Sequence, residues 1–209
     1  MSDQYDANYF LHGKETGKSL YENYRWMPDL TIPMARAIAD HCGILKEDTI
    51  LDFGCARGYV VRAFRELGYI TYGYDVSKWA IENADESVRQ HITSSLGVAH
   101  ILRYDWIIAK DVLEHIKYAD MTIRDLICTA RKGLFVVVPL STHDGEPYTI
   151  KEYEMDVTHV QRRTLMTWAS SFIQPGWSVE VSYRVPGVKD NYAQHTQGNG
   201  FITARRVTG

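Results

Sequence analysis

The segment Asp52-Phe53-Gly54-Cys55-Ala56-Arg57-Gly58 constrains this chain more than any other part of it. It follows the apolar run Thr49-Ile50-Leu51. It precedes a stretch patterned for a helix, with Val60, Val61, Phe64 and Leu67 ending at Gly68. Small residues at 54, 56 and 58 let the backbone turn tightly and let a ligand approach it. The helix after the turn presents unpaired N–H groups at its start. Asp75 closes a second strand-like run at 69–75, at the roughly 20-residue spacing where an acid suits the two hydroxyls of a ribose. Strand, tight loop, helix and strand in that order predict a parallel sheet with covering helices.

The rest of the chain extends this pattern. Met34, Ala37, Ile38 and Cys42 recur at helical spacing over 29–42, and Ser77 opens a helix carrying Trp79, Ala80 and Ala84. A weakly patterned third strand is expected at 88–93 and a clearer fourth at 105–110. An amphipathic helix is expected at 120–132, stopped by Gly133, and a strand buried on both faces at 134–139. After a polar segment at 141–160 come a helix at 163–172 and an alternating strand at 177–185. A polar loop at 186–200 leads to a partner strand at 201–207.

Composition excludes several classes. A chain of 209 residues buries a sizeable core without disulfides or metals. Its longest apolar run, 134–140, is too short for the ~20 residues that span a bilayer. The net charge of −3 disfavours a phosphate-backbone partner. Cys42, Cys55 and Cys128 are odd in number and widely spaced, which predicts unpaired thiols. The acidic, polar start predicts no secretory leader, and a cytoplasmic protein is expected. Residues 1–28 carry six aromatic side chains and form an expected N-terminal cap, either docked on the core or acting as a lid.

Two cofactor classes use a glycine loop followed by an acid. A nicotinamide dinucleotide prefers G-x-G-x-x-G, but here the frame reads Gly54, Ala56, Tyr59. Asp52 at the loop mouth suits a cationic, phosphate-free ligand instead. With "LDFGCARGY", "YGYDVS", "WIIAKDVLEHI" and the terminal strand pair, the chain resembles class I S-adenosylmethionine-dependent methyltransferases over roughly residues 29–207. The resemblance implies an α/β, Rossmann-like seven-stranded sheet with helices on both faces and a reversed last strand, in a domain at 29–209. It implies S-adenosylmethionine as cofactor, with Gly54 and its loop neighbours Asp52, Cys55 and Gly58 against the methionine part. Asp75 would hold the ribose, Val76 would pack on adenine, and Lys110 and Asp111 would lie beside the amino-acid group. Arg25 is a candidate for the cofactor carboxylate, or else stacks on a neighbouring ring. Two departures stand out. Ala56 replaces the loop's middle glycine, and Ser94-Ser95-Leu96 lacks the acid that many members place after the third strand.

Methyl transfer needs an aligned nucleophile and a destination for its proton. The fourth strand does not end in the Asn/Asp-Pro-Pro-aromatic motif of methylases acting on base amines, so a small-molecule acceptor is expected, most readily a hydroxyl. Asp111, Glu114 and His115 have the spacing of one helical face. With His159 they resemble the ligand set of metal-dependent O-methyltransferases. That resemblance implies a divalent ion (magnesium, manganese or zinc) on these four residues. The alternative is a metal-free base at His115 or His159. Two other functions remain open: a nicotinamide-dependent oxidoreductase, and a methyltransferase-like cofactor-binding protein without turnover.

Overall fold

The computed structural model describes residues 2–101 and 103–207. Met1 of the expected cap and residues 208–209 of the expected domain lie outside them. Seven strands form one sheet: β1 (Thr49–Phe53), β2 (Ile70–Tyr74), β3 (Ile92–Thr93), β4 (Tyr104–Lys110), β5 (Ala130–Pro139), β6 (Trp177–Ser182) and β7 (Asn199–Arg206). Their order is β3-β2-β1-β4-β5-β7-β6. The first five are parallel, and β7 runs antiparallel to both β5 and β6. The expected reversed last strand is present.

Alternate residues of each central strand feed opposite layers. Leu134, Val136 and Val138 pack with Ile123, Leu126 and Trp168 on one side. Phe135 and Val137 pack with Ile38, Ala39 and Phe64 on the other. Leu134 through Val138 have no exposed surface, and each such side chain contributes about 1.5–3 kcal/mol of burial free energy. The helices that cover the sheet are α3 (Pro28–Cys42) and α4 (Tyr59–Glu66) on one face and α7 (Ala119–Thr129) and α8 (Leu165–Ser170) on the other. Short helices α5 (Lys78–Glu82) and α6 (Leu96–Ile101) flank the β2–β3 edge, and α1 (Ala7–Leu11) and α2 (Gly13–Thr16) lie in the N-terminal segment.

Several expected boundaries shift. The helix expected at 120–132 ends at Thr129, because Ala130 already pairs with Tyr104 and opens β5. Gly133 is therefore an in-strand residue rather than a helix stop. A Cβ there would stand 2.4 Å from the Trp106 ring, so only glycine admits that indole. The third strand shrinks to Ile92–Thr93, since Arg89–His91 forms a 3-10 turn and Val88 packs inward against Val61 and Cys55. The strand expected to reach 185 ends at Ser182, whose hydroxyl bonds the N–H and carbonyl of Arg184. Such local side-chain bonds compete with the ladder. The expected covered face of that strand is only partial, with Val181 exposed at this edge.

Candidate functional site

The strand order reverses between β1 and β4, and in open α/β sheets that switch point is where ligands settle, at the carboxyl ends of the strands. The glycine loop leaves β1 there. Gly54 has φ +87°, and a Cβ on it would stand 2.6 Å from Cγ2 of Val112 on the loop after β4. Ala56, in place of the middle glycine, takes φ +47°. A left-handed non-glycine residue costs roughly 1–2 kcal/mol. Here the Ala56 N–H donates to Asp75 Oδ2 at 2.7 Å, and the Ser77 N–H donates to Oδ1 at 2.8 Å. The buried Asp75 carboxylate thus braces the strained loop. Each of its oxygens retains acceptor capacity toward a ligand. Burial raises its pKa, and the two N–H bonds oppose that shift.

A cavity of about 460 Å³ opens over this loop, within the usual range for small-molecule sites. Its floor includes Gly54, Ala56, Asp75, Val76, Asp111 and His115. Its roof is the N-terminal segment, which contributes Tyr5, Tyr9, Phe10 and Tyr21. Phe10 stacks on Trp79 with ring centroids 5.5 Å apart, and Tyr24 meets Tyr59 at 5.1 Å. Ser77 Oγ donates to the Tyr5 carbonyl at 2.6 Å, and Arg57 Nη1 donates to the Tyr24 carbonyl at 3.1 Å. Tyr59, which crowds a dinucleotide frame, is buried under this aromatic segment. A larger groove of about 970 Å³ runs past Asp120, Arg124, Arg163 and Thr167, but none of the motif residues line it.

Charge concentrates at the end of β4. Asp111 also takes a left-handed backbone, φ +55°. Its Oδ2 accepts from Lys110 Nζ at 2.5 Å and its Oδ1 from Lys189 Nζ at 2.7 Å. Lys189 arrives from the loop after β6 and lies 4.8 Å over the Tyr153 ring. Burial alone would raise the Asp111 pKa, but the two ammonium groups hold it well below the usual carboxylate range. Asp52, buried at the end of β1, is pushed up to about 7 by burial, with Lys110 opposing and Asp75 adding.

Beyond Asp111 the chain makes a 3-10 turn, Leu113–His115. The left-handed Asp111 precedes that turn, so the expected common helical face of Asp111, Glu114 and His115 does not form. The turn instead brings together Glu114, His115 and His159, whose nearest ligand atoms all lie within 4.8 Å of one another. Glu114 is buried, and burial together with the Asp111 charge pushes its pKa well up. Burial lowers both histidines, and in His115 the neighbouring His159 adds to the effect. Glu114 Oε2 and His159 Nδ1 are buried with no hydrogen-bond partner among the described residues. His115 Nδ1 lies 2.7 Å from Thr158 Oγ1, which donates to Asp156 Oδ1 at 2.5 Å. Tyr9 donates its hydroxyl to Asp156 Oδ2 at 2.8 Å.

Of the sequence-predicted residues, Gly54, Asp75, Val76, Asp111 and His115 line the cavity. Among the described lining residues, Arg25, Asp52, Cys55, Gly58, Lys110, Glu114 and His159 are absent. Arg25 is exposed on the surface. Cys55 turns its thiol toward Gly73, and Gly58 caps α4. Lys110 touches the site through Asp111, while Glu114 and His159 stand with His115. Residue patterning placed Tyr9 only among the aromatic side chains of the cap, and it missed Thr158 and Lys189. Thr158 had a signal available, since it stands next to His159 in the polar segment at 141–160.

The sequence profile of the family described as "Methyltransferase domain" matches residues 29–182, most of the chain. No curated protein matches. Solved structures share the fold. Magnesium protoporphyrin IX methyltransferase from Synechocystis, with bound S-adenosylmethionine, is 19% identical at a TM-score of 0.57, covering 83% of this chain and 76% of its own. A chain of the Haloferax volcanii complex with the Trm112 methyltransferase activator is 14% identical at 0.67, covering 100% and 98%. The 1,6-didemethyltoxoflavin-N1-methyltransferase of Burkholderia thailandensis, with its substrate and S-adenosylhomocysteine, is 16% identical at 0.59, covering 86% and 80%. Among the described residues no helix is long and apolar enough to cross a membrane. The matched range takes in the braced glycine loop and the acid that follows β2, and the chain belongs to the methyltransferase-domain family of class I S-adenosylmethionine-dependent methyltransferases.

Proposed function

We propose that this methyltransferase acts on a hydroxyl of a small-molecule acceptor, with the His115 imidazole as base. The acceptor oxygen bonds to the sulfonium methyl as the S–CH₃ bond breaks and its electron pair returns to sulfur. The hydroxyl proton passes to His115. The observation that carries this reading is the position of His115: of the Glu114, His115 and His159 group, it is the member that lines the cavity. Burial keeps its ring neutral and able to accept a proton. An amine acceptor can lose its proton before attack, so a built base favours a hydroxyl. The net charge of −3 and the aromatic-walled cavity favour a small molecule over a nucleic acid. Asp75 then takes the ribose, Val76 the adenine edge, and Asp111 with Lys110 the amino-acid group, while residues 2–26 cover the cofactor.

A second reading places a divalent ion on Glu114, His115 and His159. Two imidazoles and a carboxylate suit manganese or zinc in particular, and the ligand atoms of these three residues converge within 4.8 Å. Asp111 falls outside this set: its carboxylate pairs with Lys110 and Lys189, and the ligand atoms that converge belong to Glu114, His115 and His159. When bound, the ion would act as a Lewis acid that makes an acceptor hydroxyl easier to deprotonate. Chelation separates the two readings. Turnover measured with labelled cofactor and a metabolite extract should persist in excess EDTA if His115 acts alone. Loss in EDTA with recovery on adding manganese or zinc would replace the first reading with the second.

A further inference from the structure

The N-terminal segment does more than roof the cavity. Tyr9 comes from α1, yet its hydroxyl reaches Asp156, 147 residues away in sequence. Burial, followed by the nearby Tyr21 and Asp156, raises the Tyr9 pKa, so the phenol keeps its proton and donates it. Ser19 Oγ donates to the Tyr9 carbonyl at 2.6 Å and fixes the backbone of that residue.

The protons along the chain can be counted. A carboxylate only accepts. Asp156 receives the Tyr9 hydroxyl on Oδ2, and the Thr158 hydroxyl and N–H on Oδ1. A threonine hydroxyl has one proton, and that proton points at Asp156. Toward His115, Thr158 Oγ1 is therefore an acceptor, so the ring nitrogen 2.7 Å from it must carry a hydrogen. The neutral imidazole is then the Nδ1–H tautomer, and its lone pair lies on Nε2. Groups that hold the far nitrogen of a working imidazole set its tautomer and orientation.

We propose that Tyr9 is a positioning residue. It secures Asp156, and through Thr158 it fixes His115 as the Nδ1–H tautomer with Nε2 free for the acceptor proton. The role of Nε2 rests on the reading of His115 as the base, whereas the tautomer and its dependence on Tyr9 do not. The N-terminal segment thus supplies both a wall of the cavity and a support for the base.

Imidazole ¹⁵N NMR of the full chain with S-adenosylhomocysteine tests this, with His115→Gln assigning the His115 signals. Wild-type His115 should show a protonated Nδ1 and a bare Nε2. Thr158→Val removes the acceptor while keeping the shape, and should give mixed tautomers. Tyr9→Phe removes one hydroxyl, and should loosen the tautomer and lower kcat about tenfold, the low end for groups that orient a ligating imidazole. In that variant the ring still lines the cavity and only the hydroxyl, which faces Asp156, is lost, so KM for the acceptor and affinity for S-adenosylhomocysteine should change less than kcat. Protonated Nε2 in the wild type would overturn the proposal. So would a Tyr9→Phe variant with unchanged tautomer and unchanged kcat. If His115→Gln keeps full turnover while the tautomer still responds to Tyr9→Phe and Thr158→Val, the relay stands and the base assignment falls.

Discussion

Replacing His115 by glutamine should lower kcat by about 10²- to 10⁴-fold, the usual contribution of a positioned acid or base. Glutamine retains a polar group of similar reach next to Thr158 Oγ1, so the fold and the cavity should survive. Binding of S-adenosylhomocysteine by calorimetry should be unchanged. The pH profile of the wild type adds a second readout. Burial, reinforced by His159, places the His115 pKa below 6.5. A base with a lowered pKa stays neutral as pH falls past 6.5 and is lost only at the lower value. The rate should therefore hold from pH 7 to below 6.5. An inflection at or above 6.5, or a His115→Gln enzyme of wild-type speed, would remove His115 from the chemistry.

Asp75→Asn should weaken S-adenosylhomocysteine binding by roughly 10- to 150-fold. That range corresponds to the roughly 1.5–3 kcal/mol of a hydrogen bond to a charged group, at 1.4 kcal/mol per tenfold. The amide can still accept from one of the Ala56 and Ser77 N–H groups but not from both. Part of the loss will therefore come from relaxation of the left-handed turn at Ala56. Thermal unfolding of the ligand-free variant separates that part from the ribose contact. Wild-type protein should show no measurable NAD binding, because Tyr59 is packed beneath the aromatic segment where a dinucleotide frame wants glycine. Equal affinity of wild type and variant would return Asp75 to a purely structural role.

The first β-α-β unit was legible in sequence because its signals are local. Ser77 caps α5, Gly58 caps α4 and Asp75 closes β2 within a residue or two of where patterning puts them. Tertiary contacts decided the places where patterning failed. Arg131 and Lys132 look helical on their own, but pairing with β4 and the Trp106 ring over Gly133 draw that stretch into β5. The two-residue β3 leaves almost no period to detect. At the site, Glu114 and His115 stand together because neighbours on any tight turn stay close. Spacing misjudged Asp111, since a left-handed residue breaks helical phase and composition does not announce one. His159 was reachable only through family resemblance. The Tyr9–Asp156 bond, across 147 residues, leaves no trace in local pattern at all. The same holds for Lys189, whose loop reads simply as polar.

A crystal structure with S-adenosylhomocysteine bound decides most about this site. The ribose hydroxyls should lie on Asp75, and the sulfur should face the space beside His115, so that a methyl placed on it points toward Nε2. If the sulfur instead faces away from His115, with another side chain in line with the missing methyl, the proposed base and the relay's catalytic purpose are both wrong.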